Sequence, residues 1–432
     1  MKNSSILTRL VFAVLLALLP HFLHSAQANA QKKVKAIRIV GNKRTQDLIL
    51  QRELSFLIGG PFLKDYADFA VGRLDRLRIF SGIKITPIEE EDGIVLLVEV
   101  KETFPIIPSV SISFSDENGV LYGGGISALN LKGEALFLSG KVMFGGATNI
   151  EFKLVNPWIR GDKIAYSLDL YYRERRNEIF GFNETVYELY TTFLRQYKDH
   201  LNYGVRVSGQ YLRSDVDGKT VSADNTDFAP GLSAFLGYDS RDSWTNPHSG
   251  WWSELELQKV GVFFGDCRFW RFNLDGRRFH PVAPHHTLAM FSLLTLTTGT
   301  VGQDVAVWQQ FAVGGANSIR GWELGERSGK NQFLNTLEYR YNFFEPRPLR
   351  ILGFSFYMGA QLAAFADLGY VWNDGAEFQP GKFLGGAGLG LRLIVPYVGL
   401  IRLDLGLGQP GMSIRLCVGS YEKPARQRER VR

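Results

Sequence analysis

Alternation governs most of this chain. Ser109–Phe114 puts Val110, Ile112 and Phe114 on one side of an extended segment, with serines opposite. Ser253–Leu257 sets Leu255 and Leu257 against Glu254 and Glu256, and Leu400–Leu407 sets Ile401, Leu403, Leu405 and Leu407 against Arg402 and Asp404. Side chains of a strand point alternately to its two faces, so each segment has one greasy and one polar face. About sixteen such strands fit between 107 and 421, roughly 20 residues for each strand and its connection. A soluble sandwich would have to cover every greasy face with another sheet. A closed antiparallel barrel instead turns those faces to lipid and the polar ones to its lumen. Closure is obligatory there, because an unpaired backbone group in hydrocarbon costs several kcal/mol. The predicted fold class is mainly β: a transmembrane antiparallel barrel of about sixteen strands behind one small α/β domain.

Composition agrees with this reading and excludes others. The 46 glycines and the 13% aromatic content among 432 residues suit a large, turn-rich β-protein. The longest apolar run, Leu10 to Pro20, is half of the about 20 residues a membrane helix needs. A formal charge of +6, two units of it on Lys2 and Arg9, is too mild to imply nucleic acid. Cys267 and Cys417 supply neither a disulfide framework nor a structural zinc site. Trp158, Tyr171, Tyr172, Trp251, Trp252, Trp372 and Tyr397 fall near strand ends and are expected to form an aromatic girdle.

Residues 1–30 follow the secretory pattern: basic Lys2 and Arg9, apolar Leu10–Leu19, Pro20, and an Ala28-Asn29-Ala30 cleavage site. Export plus amphipathic strands predicts a bacterial outer membrane. Residues 31–103 then read as a separate unit. Val34–Val40 alternates and stops at Gly41-Asn42, and Thr45 can cap a helix to Leu54 with Leu48, Ile49 and Leu54 apolar. Gly59-Gly60-Pro61 breaks it, and a second helix with Phe69, Leu74 and Leu77 runs from Lys64 to about Ile79. Ile83–Ile88 and Ile94–Val100 form a hairpin around Glu90–Gly93. The order is β-α-α-β-β. Residues 104–421 are the barrel, and 422–432 form a basic tail expected in the periplasm.

Residues 31–103 resemble a polypeptide-transport-associated (POTRA) domain through Ile37-Arg38-Ile39-Val40-Gly41-Asn42, Arg52-Glu53-Leu54, Gly60-Pro61-Phe62, Leu77 to Gly82 and Leu97-Val98-Glu99-Val100. The resemblance implies a periplasmic unit that captures client chains by adding a strand to its sheet edge.

One connection stands out. About 32 residues separate a strand ending near Thr298 from one starting near Asn331, and they contain Phe311-Ala312-Val313-Gly314-Gly315-Ala316-Asn317-Ser318-Ile319-Arg320-Gly321-Trp322. Tyr238-Asp239-Ser240-Arg241-Asp242 with Pro247-His248-Ser249-Gly250, Glu338-Tyr339-Arg340, Phe365 to Trp372, Gly385 to Leu393 and Pro396, and Ile401-Arg402-Leu403-Asp404 flank it in order. Together they resemble the bacterial surface-antigen superfamily of outer-membrane insertases and two-partner secretion transporters, over essentially all of 34–421.

The resemblance implies that the long loop, with Gly314, Gly315 and Ser318, folds back into the lumen. The Arg320-Gly321-Trp322 tip would then meet acidic residues of the wall. Strand parity agrees independently. If Leu337, Tyr339 and Tyr341 face lipid, Glu338 faces inward; if Leu368, Tyr370 and Trp372 face lipid, Asp367 faces inward as well. A guanidinium fork can engage two such carboxylates. The inward track Gly386, Gly388 and Gly390 leaves room for the loop. These residues form the expected latch.

Other motifs carry no chemistry. Gly325–Lys330 lacks P-loop spacing, His285-His286 lacks metal-ligand partners, and no nucleophile triad stands out. No catalysis, metal or cofactor is expected. The expected partners are the outer-membrane bilayer, unfolded clients in the periplasm and accessory periplasmic proteins. The expected function is insertion or translocation of polypeptides, with clients handed to a seam between about 107–115 and 411–421. Two alternatives are a dedicated pore for one exported partner and a gated passive channel. The former usually carries two periplasmic domains and a plug helix, neither of which is visible in the sequence. The family's barrels usually end on an aromatic residue, here Tyr421 of an expected last strand Ser413–Tyr421, with eleven residues beyond it.

Overall fold

The structure, a computed structural model, describes residues 33–419 except 55–56, 61, 63–66, 68–69, 75–76, 78, 160–163, 198–199, 243–245, 352–353, 376–378 and 396–398. The expected signal segment 1–30, Pro61, Lys64, Phe69, Pro396, Tyr397, Tyr421 and the expected tail 422–432 lie outside the described residues. The chain begins with β1 (Val34–Val40), α1 (Asp47–Leu54), a helical stretch that includes 70–74, and the hairpin β2 (Phe80–Glu90) and β3 (Gly93–Glu102). β3 lies centrally, parallel to β1 and antiparallel to β2. Leu50, Leu54, Leu74, Leu96 and Val98 are fully buried between sheet and helices. Each such side chain contributes about 1.5–3 kcal/mol. Thr45 does not cap α1, which starts two residues later. Its hydroxyl donates to Glu102 Oε1 at 2.6 Å and accepts from Asn130 at 2.7 Å.

Sixteen strands then close into one barrel. They are β4 (Ile106–Ser115), β5 (Gly119–Leu131), β6 (Leu136–Gly145), β7 (Ala147–Ile159), β8 (Ile164–Asn177), β9 (Phe182–Tyr197), β10 (Leu201–Ser214), β11 (Thr226–Asp239), β12 (Gly250–Val260), β13 (Phe269–Ala283) and β14 (His286–Thr297). A long loop follows with two short strands, β15 (Phe311–Val313) and β16 (Arg327–Gly329), paired to each other. β17 (Asn331–Ile351), β18 (Phe354–Trp372), β19 (Leu384–Val395), β20 (Gly399–Gly408) and β21 (Gly411–Gly419) complete the ring. Since β4 starts beside the α/β unit and strands alternate in direction, the long loop lies at the opposite, far end.

The α/β unit is seated on the near end. Asn130, at φ +60°, reaches Thr45; Gln46 N donates to Gly133 O; Trp158 Nε1 donates to Glu53 Oε1 at 3.1 Å. Leu129 and Ala135 of the barrel join the unit's apolar core.

Parity places the faces as the alternation demands. Val110, Leu257, Leu403 and Leu405 are exposed on the outside, whereas Glu254, Glu256 and Asp404 are buried within. The aromatic girdle is only partly realised. Tyr172 and Trp251 face out, but Tyr171 shares the inward side of Asp169, and Trp252 lies inward between Arg241 and Arg277. Trp158 follows a register shift in β7 and serves the docking contact. Leu368 faces out and is exposed. Tyr370 and Trp372 keep its side but stack on each other, and Phe383 of the β18–β19 connection covers Tyr370.

Among the described residues, β4 meets β21 through the ladder pair Phe114–Val418, and Ser113 Oγ donates to Val418 O at 2.9 Å.

Candidate functional site

The long loop turns inward and is held at two places. Its first half enters an apolar cluster at the far end, where Val305 and Ala306 are fully buried against Phe182, Leu212 and Phe269. Trp308 Nε1 donates to Asp227 Oδ2 at 2.7 Å within it. Arg271 lies between the rings of Phe269 and Phe311, 4.8 Å from each, and donates to Gln309 O.

The second half ends in a tight turn. Gly314 and Gly315 have φ of +108° and +92°, a region that L side chains rarely adopt. Ser318 Oγ accepts from Gly314 N and donates to Gly314 O, both at 2.9 Å, and Gly315 N donates to Trp322 O. Trp322 Nε1 donates to Gly385 O of β19 at 2.8 Å, and Ile319 is fully buried beside Leu334 and Val371.

The wall beneath the tip follows from strand register. Three inward rows cross β17, β18, β19 and β20: Thr336–Asp367–Gly386–Gly408, Glu338–Phe365–Gly388–Gly406 and Arg340–Ala363–Gly390–Asp404. Five glycines hollow out the β19–β20 part of this surface: the loop backbone fills the space over Gly386, Gly406 and Gly408, the Phe365 ring that over Gly388, and Asp404 with Arg392 that over Gly390. A Cβ on Gly406 would stand 2.6 Å from Gly321 N, one on Gly408 2.6 Å from Gly321 O, and one on Gly386 would strike Arg320 O. Gly321, at φ +98°, could not carry one either, since it would lie 2.5 Å from Gly408 N.

Arg320 lies at the centre. Its Nε and Nη2 donate to the two oxygens of Asp367 at 2.8 Å each, and its backbone N–H adds a third bond at 3.1 Å. Nη1 reaches Glu338 Oε2 at 3.4 Å and Asp404 Oδ2 at 3.6 Å. The guanidinium carbon sits 3.4 Å from the centre of the Phe365 ring. Glu338 also accepts from Arg340 and Arg392, each at 2.7 Å, and Arg392 pairs with Asp404 at 3.3 Å. Three guanidinium groups and three carboxylates therefore form one neutral, buried ring. Charges this deep are stable only when paired, and the ring pairs them all.

The structure thus brings Arg320, Gly321 and Trp322 against Glu338, Asp367 and Gly386, whereas the space over Gly388 is taken by the Phe365 ring. Gly390 lies one row further on, beside Asp404 and Arg392. Sequence reasoning missed Arg340, Phe365, Arg392, Asp404, Gly406 and Gly408, although each shares the inward parity of a residue it named. It also missed two contacts that reach the barrel's ends. Ala316 N donates to Asp116 Oδ2 at 3.2 Å, just beyond β4. Arg415 of β21 pairs with that same Asp116 at 3.3 Å and donates to Trp322 O at 3.3 Å.

A cavity of about 100 Å³, lined by Asp275, Arg277, Ser292 and Asn317, lies beside the tip towards β13, while Leu293 of β14 joins Ile319 and Trp322 in one apolar cluster. The described residues hold no group of three or more His, Cys, Asp or Glu side chains arranged for a metal ion.

Comparison with known proteins agrees with this architecture. The outer membrane protein assembly factor BamA of Nitratidesulfovibrio vulgaris is 25% identical over 371 residues, covering 80% of this chain and 45% of that protein. This chain therefore spans less than half the length of that relative. The structure of BamA from Haemophilus ducreyi lacking POTRA domains 1-3 superposes with a TM-score of 0.62 at 16% identity, over 91% of this chain and 84% of that one. CdiB from Escherichia coli gives 0.62 at 15% identity, over 90% and 76%. Both structures share the fold. A family model, the Omp85 superfamily domain, matches residues 130–411, the barrel from the end of β5 to the start of β21, and the chain belongs to that superfamily.

Proposed function

We propose that this chain inserts or translocates polypeptides at the bacterial outer membrane, using a binding surface and a latch, with no catalytic centre and no cofactor. The observation that supports the reading is the β4–β21 seam, where the first and last strands of the ring meet and for which the described residues give the ladder pair Phe114–Val418. Where these two strands part, each presents an edge with which a client strand can pair. The similarity to an assembly factor supports this reading. On this proposal residues 31–103 are a POTRA domain in the periplasm, which receives clients from accessory proteins and presents them at the near end of the seam. The barrel's far end then faces outward. The ring around Arg320 acts as the latch that keeps the lumen plugged between clients. Nucleotides are absent outside the cytoplasm, so folding of the client drives the cycle.

The fold shared with CdiB equally suits a secretion pore for one partner. Depleting the protein in its host and quantifying the outer-membrane and secreted proteomes separates the readings. Broad loss of barrel proteins supports insertion, and loss of one or a few exported proteins supports a dedicated pore. An unchanged proteome in a host without a second family member refutes both, leaving a gated channel.

A further inference from the structure

Residues 261–268 connect β12 to β13 at the barrel's far end. Within them Phe263 is 97% exposed, at a φ of +68°, and Phe264 is 59% exposed. Phe264 stacks on Phe228 of β11 with ring centres 5.8 Å apart and planes at 18°. The same outward face carries Trp270, 48% exposed, with Lys259 Nζ 5.6 Å from its ring centre. Towards the barrel's middle it continues into Leu232, Leu236, Leu255 and Leu257, all exposed on the lipid side. The aromatic surface is therefore an extension of the lipid-facing belt past the strand ends. Lys259 and Arg268 flank it, whereas Asp266, the loop's own carboxylate, already accepts from Phe228 N at 2.7 Å. β11 and β12 are the eighth and ninth strands counted from β4, so this patch lies across the barrel from the β4–β21 seam.

We propose that loop 261–268 is an interfacial anchor. Phe263 and Phe264 enter the leaflet at the barrel's far end, and Lys259 and Arg268 hold the phosphate groups of anionic lipid. Aromatic rings favour the boundary zone between hydrocarbon and water, and cations there are drawn to anionic headgroups. The anchor fixes the wall farthest from the seam. It rests on membrane location alone and is independent of the transport reading.

The test uses the full chain in lipid vesicles with a nitroxide on F263C, and on D224C in the neighbouring exposed turn as a water-facing reference. Both native cysteines are buried, and the unaltered protein serves as the labelling blank. Unheated gel migration verifies the folded barrel, with F264C as the second site should F263C fail to fold. The label at 263 is expected to collide with oxygen and to lose collisions with a water-soluble nickel complex, while the label at 224 shows the reverse. Equal nickel access at both sites overturns the anchor. In phosphatidylglycerol the label at 263 should be shielded more than in phosphatidylcholine, and K259Q with R268Q should abolish that difference. No lipid difference, or one that survives the double variant, overturns the headgroup contact.

Discussion

Replacing Arg320 with Ala tests the latch most directly. The side chain is 4% exposed and carries one of three positive charges in a ring of six. Without it Asp367 keeps the Thr336 hydroxyl at 2.9 Å, and the ring holds one uncompensated negative charge. Removing one partner of a buried pair costs about 3–5 kcal/mol. That cost falls on the closed arrangement alone, because withdrawal of the tip lets water reach Asp367. The closed-to-open ratio should therefore fall by about two to three and a half powers of ten. No inter-strand bond is touched, so the barrel itself should still fold. Single-channel recording in planar bilayers reads the ratio as closed and open dwell times. Arg320→Lys keeps the charge but loses the fork and the stacking on Phe365, and should fall between the two. Combining Arg320→Ala with Asp367→Asn removes the stranded charge and should recover part of the loss. Closed dwell times unchanged in Arg320→Ala, or a double variant whose effect is the plain sum of the singles, would falsify the latch.

Other perturbations probe separate parts. Gly408→Val should lift the tip off β20 without altering a charge, raising conductance and exposing the 314–322 segment to protease; full protection would show that the hollow is not needed. Glu102 is driven up by burial, but bonds from Thr45 and Arg44 outweigh this and hold its pKa at about 2. The folded value being the lower, its contribution is complete above the ordinary value of 4.5 and is lost as pH falls towards 2. Protease cleavage within 41–47 should rise across that window, and Glu102→Gln should make it independent of pH there; an unchanged profile in the variant would remove Glu102 from the account. Phe114→Cys with Val418→Cys, in a Cys417→Ala background, should close the seam covalently and stop client assembly reversibly with reductant. Full activity in the oxidised form would move the route of passage elsewhere.

Much of this molecule is written in its alternation, and the exceptions have physical causes. Parity alone puts Glu338 and Asp367 inside, because a strand that faces lipid on one side has nowhere else to put a carboxylate. Parity also puts Arg340, Arg392 and Asp404 inside. What it cannot supply is inter-strand register, and only register brings Gly390 opposite Asp404 and Glu338 opposite Phe365. The girdle fails where residue type and position disagree: Trp252 shares the parity of Glu254 and Glu256, which marks it as inward. Trp158 had no such signal, since the shift between Asn156 and Ile159 breaks the count. Tyr370 was assigned to the correct side, but its cover comes from Phe383, a loop residue outside any periodic pattern.

The loop tip also spans the place where the barrel begins and ends. Asp116 follows the first strand and Arg415 belongs to the last; both bond to the tip and to each other. Plug and seam are thus two ligands of one bridge, and the favour between them is mutual. If the seated tip makes a closed seam more favourable by some factor, a closed seam favours the seated tip by that same factor. On the proposed function, a chain that parts β4 from β21 would therefore loosen the tip from the side, without ever entering the lumen. A disturbance at the ring likewise reaches the membrane-facing wall as a change in how readily that wall comes apart.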